Sequence, residues 1–397
     1  MRILYLVSTF PYPPTDGLKL RPFNIIKRFP TGHAIGLVCL GELKPEATAT
    51  SLGAEQVFGL PDVMRRNSLL NITRRYPFPV YSIDPKKVRT HLSKIIDHFK
   101  PDIINCESLL LSYALCQWKL AVPVVNSFPD CNSLYRRQMV ERAESLQGML
   151  VERIKWLKMI NYERDYYKCF NHIIVVADRD KNEILRLCGS IPITVIPNGV
   201  DCRFFDGNSV APQTATIAFV GVMNYPPNVD AVLYFADNVL PLVRKHVPEV
   251  RFIVAGKDPS ESVINLGRLP GVEVTGYVED IREIYRRASM VVVPIRFGTG
   301  VKNKVLEAMA MAMPVIATTE AVGGIPVVNG ESIIIADEPG AMAEEVISLL
   351  KNRDRARSIG YAARERVEGL FSWESVGRKL LSVYEDVLGA PKVRGIE

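Results

Sequence analysis

No apolar run in the 397-residue chain approaches the ~18 residues that a membrane span needs. The opening run Arg2–Phe10 is cut off by Pro11, Pro13 and Pro14 and reads as a first strand, not a signal peptide. Cysteine is sparse and unordered. Seven scattered residues without a C-x-x-C pair indicate neither a disulfide framework nor a zinc knuckle, and reduced thiols in a cytoplasm are expected. The five histidines are spread too widely to suggest a metal site. Neither domain-opening strand leads into G-x-G-x-x-G, which disfavours a dinucleotide oxidoreductase. No D-x-D motif interleaved with carboxylates appears, so the sequence does not require a divalent ion or any other cofactor.

What is present describes an ordinary globular protein: 48% hydrophobic and 23% charged residues, with a mean hydropathy of +0.08. Charge is uneven. Residues 1–200 carry 27 Lys and Arg against 18 Asp and Glu, whereas residues 201–397 carry 22 against 25. Basic clusters with apolar neighbours occur at 64–78 and 151–160, which fit either peripheral contact with an anionic membrane or a solvated helix face. The basic residues are otherwise dispersed and no nucleic-acid-binding motif accompanies them, so nucleic acid is not an expected partner.

Short β-branched runs alternate with helical patterns throughout, which predicts parallel α/β layers. Strands are expected at 2–9, 34–40, 55–60, 102–106, 122–127 and 172–177, then at 215–222, 250–255, 272–276, 290–295, 314–318 and 332–335. The clearest helix is 85–99, with Asp84 as cap, Pro85 in the first turn and an apolar stripe at Val88, Leu92, Ile95, Ile96 and Phe99. One long polar and aromatic helical stretch is expected over 133–170, and later helices near 228–246, 280–288, 301–312 and 340–351. Two Rossmann-like domains in tandem follow, 1–200 and 201–375, with a hinge at 196–215 and a cleft between their strand ends. Residues 376–397 are expected to form a last helix that returns to the first domain, with Trp373 packing its start.

The most informative stretch is 291–310. A hydrophobic strand runs into Gly298, Thr299 and Gly300, and a helix starts at once with Lys302, Asn303 and Lys304 in its first turn. Free backbone amides, the positive helix end and two ammonium groups suit a diphosphate. Lysines there otherwise oppose the helix dipole by ~0.3–1 kcal/mol. The competing reading is a tight turn with incidental lysines. Glu307, one turn further on, could grip the vicinal hydroxyls of a ribose or form a surface pair with a lysine.

The order Ile196-Pro-Asn-Gly-Val-Asp201, Phe219-Val-Gly221, Val254-Ala-Gly256, Val274-Thr-Gly-Tyr-Val278, Gly298-Thr-Gly300, Leu306-Glu-Ala-Met-Ala310 and Pro314-Val-Ile-Ala317 resembles the retaining family 4 glycosyltransferases of GT-B fold (glycosyl transferases group 1). The Pro11-Tyr-Pro-Pro-Thr-Asp-Gly17 loop with Arg21 is similar to the amino ends of bacterial exopolysaccharide-associated sugar transferases. The resemblance spans essentially the whole chain. It implies an α/β fold of two Rossmann-like domains facing each other across a cleft, an amino-terminal acceptor domain and a carboxy-terminal nucleotide-sugar domain.

By the same resemblance Glu307 is the ribose ligand, Tyr277 and Val278 hold the base, Gly298, Thr299 and Gly300 approach the sugar and phosphates, and Gly17 and Gly221 border the phosphates. Two positions depart from the family pattern. Thr299 stands where the first Glu of its Glu-x7-Glu signature belongs, and Val222 and Asn228 stand where its phosphate-binding Arg and Lys belong. Lys302 and Lys304 are expected to replace those cations, Lys304 stabilising the leaving phosphate. Glu107 and Asp130, at the carboxyl ends of predicted strands, could orient the acceptor hydroxyl, take its proton or merely cap a helix or turn.

The expected reaction is glycosyl transfer from a nucleoside diphosphate sugar to a hydroxyl of a saccharide or lipid-linked acceptor, with retention and without a metal. It would serve cell-surface polysaccharide synthesis, in the cytoplasm or on the inner face of the plasma membrane. A non-hydrolysing nucleotide-sugar epimerase of the same architecture and a catalytically silent scaffold are the alternatives.

Overall fold

The computed structural model describes residues 1–14, 17–43, 49–65, 73–128, 130–143, 145–207 and 215–389. The middle of the basic segment 64–78, residues 208–214 of the expected hinge, Thr15 and Asp16 of the amino-terminal loop, and the last eight residues lie outside these. The chain divides into two compact units, Met1–Pro197 with Trp373–Glu397, and Asn198–Ser372.

Unit 1 opens with β1 (Arg2–Val7), α1 (Gly17–Lys27), β2 (Ala34–Leu40), α2 (Ala49–Leu52), β3 (Gln56–Leu60), α3 (Pro85–Phe99) and β4 (Ile103–Glu107). It continues through α4 (Leu109–Leu115), β5 (Val124–Asn126), α5 (Asn132–Glu141), α6 (Leu146–Tyr166), β6 (His172–Val175), α7 (Asp178–Cys188) and β7 (Ile193–Val195). All seven strands are parallel, in the order β3-β2-β1-β4-β5-β6-β7. Their near-continuous apolar character follows from helices covering both faces. Side chains alternate accordingly: Leu4, Leu6 and Ile104 enter the core that includes α3, α4 and α6, and Ile3, Tyr5 and Ile103 the one that includes α1. Asp84 caps α3 through the amides of Lys86 and Lys87, as its position predicts.

Unit 2 comprises β8 (Thr216–Val220), α8 (Pro226–Tyr234), α9 (Leu240–Arg244), β9 (Arg251–Ala255), α10 (Glu261–Leu266), β10 (Val272–Gly276), α11 (Arg282–Arg287) and β11 (Met290–Val293). Then come α12 (Asn303–Ala310), β12 (Val315–Ala317), α13 (Thr319–Val322), β13 (Ile334–Ile335), α14 (Pro339–Lys351) and α15 (Arg353–Leu370). The parallel strand order is β10-β9-β8-β11-β12-β13. In both sheets the order reverses beside the first strand, at β1/β4 and at β8/β11, which opens a gap at the carboxyl ends of those strands.

Four expectations are corrected. The stretch 133–170 is two helices, because Ser145 accepts the Gly148 amide and starts α6 afresh. The stretch 228–246 is interrupted by a π-helical turn at Phe235–Val239. β7, α10, α13 and α15 have no counterpart in the sequence-based assignment. The unit boundaries fall at 197/198 and 372/373 instead of 200/201 and 375/376, for two reasons. The Val200 amide donates to the Phe371 carbonyl within unit 2, and Trp373 is buried in the unit 1 core. Trp373 begins α16 (Trp373–Gly389), whose Val376, Leu380 and Tyr384 pack beside Ile3, Tyr5 and Val7.

Gly360 in α15 illustrates how tightly unit 2 is packed. A Cβ there would stand 2.1 Å from the carbonyl oxygen of Ala312. In an open helix Gly→Ala stabilises by about 1 kcal/mol. Here the collision reverses the sign, and Gly360→Ala is expected to cost about 1–3 kcal/mol, read as a lower urea midpoint at unchanged m.

Candidate active site

The β8/β11 gap in unit 2 gathers most of the expected donor-site residues. β8 ends at Gly221 and β11 runs on to Gly298, Thr299 and Gly300, the two glycines with φ of +131° and +69°. Backbones approach very closely here. A Cβ on Gly256, after β9, would fall 1.6 Å from the Gly221 oxygen, so only glycine fits. α8 and α12 both begin at this edge, so their positive dipole ends converge on it; α8 opens on Pro226 and Pro227 and its Asn228 and Val229 amides donate to the Tyr225 carbonyl, which leaves free amides to α12 alone.

Lys304 lies in the first turn of α12. Its Nζ donates to Asn228 Oδ1 at 2.5 Å, stands 4.5 Å from the centre of the Phe219 ring and would lie 3.0 Å from a Cβ on Gly221. Asn228 in turn donates from Nδ2 to the Val222 carbonyl at 2.9 Å. Burial, reinforced by the charge on Lys302, pushes the Lys304 ammonium from its ordinary 10.5 down to about 7, with Glu307 opposing. Lys302 precedes α12, and its Nζ donates to the carbonyls of Thr299 and Gly300 at 2.7 and 3.2 Å. This lysine therefore also braces the glycine loop. Asn303 accepts from Asn198 at 3.0 Å.

Glu307, one helical turn beyond Asn303, accepts the Tyr285 hydroxyl at 3.1 Å. Burial raises its carboxyl, while Tyr285 and Lys304 pull the other way. Tyr277 and Val278 follow β10, Tyr277 being 66% exposed and without a core to fill. Sequence reasoning missed Tyr285 as the orienting partner of Glu307. It also gave no role to Asn228, which holds Lys304 instead of carrying a charge itself. Both depend on contacts between helices 22 and 76 residues apart in sequence, which no local pattern signals.

The β1/β4 gap in unit 1 is different. Glu107, the last residue of β4, is buried: Tyr5 donates to its Oε2 at 2.5 Å and Arg21 Nε stands 3.9 Å from Oε1. Burial lifts this carboxyl to about 7, with Arg21 and Tyr5 opposing the rise. The expectation of an open, acceptor-facing carboxylate is thus corrected, because α16 and α1 close over it with Tyr384 and Arg21. Asp130 is half-buried just before α5. The carboxylates that meet the start of that helix are Glu163, accepting the Ser133 amide at 3.1 Å, and Asp180, accepting the Cys131 amide at 3.2 Å. Gly17 is exposed at the start of α1 with open space around it. Among the described residues no group of three His, Cys, Asp or Glu is arranged to hold a metal ion.

The Lys304 shift has a thermodynamic signature. Between pH 7 and 10.5 the unfolded chain binds a proton at this lysine that the folded, ligand-free protein has shed. The group therefore makes stability rise with pH across that window. Lys304→Met is expected to flatten the rise, measured by urea unfolding at stepped pH.

Comparison with known proteins assigns both units. Residues 31–204 match the Glycosyltransferase Family 4 domain model and residues 214–352 the Glycosyl transferases group 1 model. An uncharacterized protein of the Klebsiella pneumoniae cps region is 26% identical over 38% of this chain and 41% of its own length. Alpha-maltose-1-phosphate synthase of Mycolicibacterium smegmatis is 28% identical over 57% and 65%. The chain thus spans less than two thirds of these two relatives. The capsular polysaccharide biosynthesis glycosyltransferase CapM of Staphylococcus aureus is 27% identical over 62% of the chain and 70% of its own length. Among solved structures, sucrose-phosphate synthase from Thermosynechococcus elongatus superposes with a TM-score of 0.71 at 16% identity, covering 98% of this chain and all of its own. Anabaena HepE in complex with UDP and glucose gives 0.63 at 14%, covering 97% and 99%. The chain therefore belongs to the GT-B glycosyltransferases, with a family 4 domain followed by a group 1 domain.

Proposed function

We propose that this protein transfers a sugar, with retention, from a nucleoside diphosphate sugar to a hydroxyl of a saccharide or lipid-linked acceptor in cell-surface polysaccharide synthesis. The observation that carries the reading is the convergence of Lys304, the amino ends of α8 and α12, and the glycine backbone at 221, 256 and 298 on one strand edge. A diphosphate is the ligand for which such an edge is suited. The names of the capsular relative and of the cps-region protein support the polysaccharide context, and HepE supports uridine as the first base to test.

Departure of a nucleoside diphosphate builds negative charge on the phosphate oxygens. Lys304, preoriented by Asn228, and the α12 amides meet that charge without reorganising. Glu307, oriented by Tyr285, binds the ribose hydroxyls, and Tyr277 and Val278 border the base. Gly298, Thr299, Gly300 and the loop-bracing Lys302 line the sugar. On the acceptor side Asp130 orients the hydroxyl, and Glu107 acts from behind by holding Arg21 and Tyr5 in place. No metal enters the scheme.

Calorimetric titration tests this. UDP or its sugar conjugates are expected to bind without added metal, and Glu307→Ala to weaken binding about tenfold to a hundredfold, the loss of charge-assisted hydrogen bonds. An unchanged Kd in Glu307→Ala removes the ribose assignment. An arriving diphosphate raises the Lys304 pKa again, so at about pH 8 binding is expected to take up protons, seen as a buffer-dependent enthalpy that disappears in Lys304→Met.

A further inference from the structure

The helices α5 and α6 form a hairpin that projects from unit 1, and its outer face is apolar. α6 runs alongside α4. The Tyr162 hydroxyl donates to the Leu109 carbonyl at the start of α4, and the Cys116 thiol at its end donates to the Tyr166 carbonyl. The Ser133 amide, at the start of α5, donates to Glu163. Residues 162–163 are thereby fixed level with the carboxyl ends of β4 and β5. The stretch back to Leu146 continues past that edge for about 24 Å at 1.5 Å per residue.

Along this projecting half, Leu146, Leu150, Ile154 and Leu157 fall within an arc of roughly 80°. They are 82%, 59%, 45% and 50% exposed. The residues of α6 that enter the core, Met159, Tyr162, Glu163 and Tyr166, lie on the opposite side of the helix. The stripe is thus left largely open to solvent among the described residues. A polar outer face is the rule for a surface helix, and this one inverts it.

Charge selects the occupant. Residues 132–158 carry six Arg and Lys against three Glu. Glu152 is already neutralised by Arg136 at 3.1 Å and Lys155 at 2.6 Å. Arg153 and Lys158 flank the apolar stripe on either side. A second copy of the chain would set like charges against each other, whereas anionic headgroups complement them.

We propose that the α5–α6 hairpin docks on an anionic lipid surface, with the Leu146–Leu157 stripe in the acyl boundary and the flanking basic side chains at the headgroups. Burial of an apolar stripe together with attraction to acidic lipid is the combination that holds interfacial helices. The surface stands on its own geometry. Its use, bringing a lipid-linked acceptor to the carboxyl edge of unit 1, rests on the function proposed above.

Flotation with vesicles tests it on the full-length protein. Vesicles of equal parts phosphatidylglycerol and phosphatidylcholine are expected to carry the protein at least about tenfold better than phosphatidylcholine alone, an advantage that falls in high salt. Leu150→Glu with Ile154→Glu is expected to lower that partition about tenfold or more, with thermal midpoint and UDP calorimetry unchanged. Arg153→Glu with Lys158→Glu removes the preference for the acidic lipid. The proposal is overturned if the wild-type protein stays with neither vesicle, if it partitions equally to both, or if the leucine–isoleucine variant floats as well as wild type. It is also overturned if sedimentation velocity shows a wild-type dimer that the same variant dissolves, which makes the face a self-interface. A failed UDP titration with intact flotation would reject the donor reading alone.

Discussion

A partly buried ammonium group sets the electrostatics of the β8/β11 edge in unit 2. Lys304 sits at the positive end of α12, beside Lys302 and against the Phe219 ring, and every one of these features except the ring disfavours its charge. Such an arrangement does not serve stability, since burial and the neighbouring Lys302 charge together lower the pKa to about 7. An anion at this edge would remove the conflict. The reversal of strand order at β8/β11 supplies the opening, and the backbone contact between Gly221 and Gly256 keeps side chains out of it. Asn228 keeps the lysine aimed in the meantime.

Unit 1 has the same topology and uses the corresponding gap in the opposite way. There Tyr5, Glu107, Arg21 and Tyr384 fill the end of the sheet themselves, and Ser8 and Ser108 bridge the tips of β1 and β4 at 2.7 Å. Removing one member of a buried ionic cluster leaves its partner uncompensated, typically at about 3–5 kcal/mol. That cost explains why an acidic residue at a strand's carboxyl end need not face solvent. Two Rossmann-like sheets in one chain can thus diverge, one gap lined by glycine backbone and a lysine and the other filled by an ionic cluster.

Much of this was legible in the sequence. All twelve expected strands form, because parallel strands are apolar on both sides and stand out against helices that are not. The Gly298–Gly300 loop and the following lysines were readable because glycine, lysine and a helix start sit within seven residues. What escaped was non-local. The break after α5 rests on one serine cap, Tyr285 reaches Glu307 from another helix, and the burial of Glu107 depends on a helix that starts 266 residues later. β7 is three residues long and none of it is fully buried, too little pattern to separate from a loop.

The chain order of the two units has a consequence for biogenesis. Unit 2 is an insertion within unit 1, since α16 returns to cover Ile3, Tyr5 and Val7 after residues 198–372 have been made. On a ribosome, the first 197 residues emerge with one sheet face still missing its final helix, and that apolar face must wait for the whole of unit 2 to be synthesised. The inserted unit has its own sheet and can complete itself first. Translation thus delivers unit 2 as a finished body while the first-made unit remains the last to close, the reverse of the usual vectorial order.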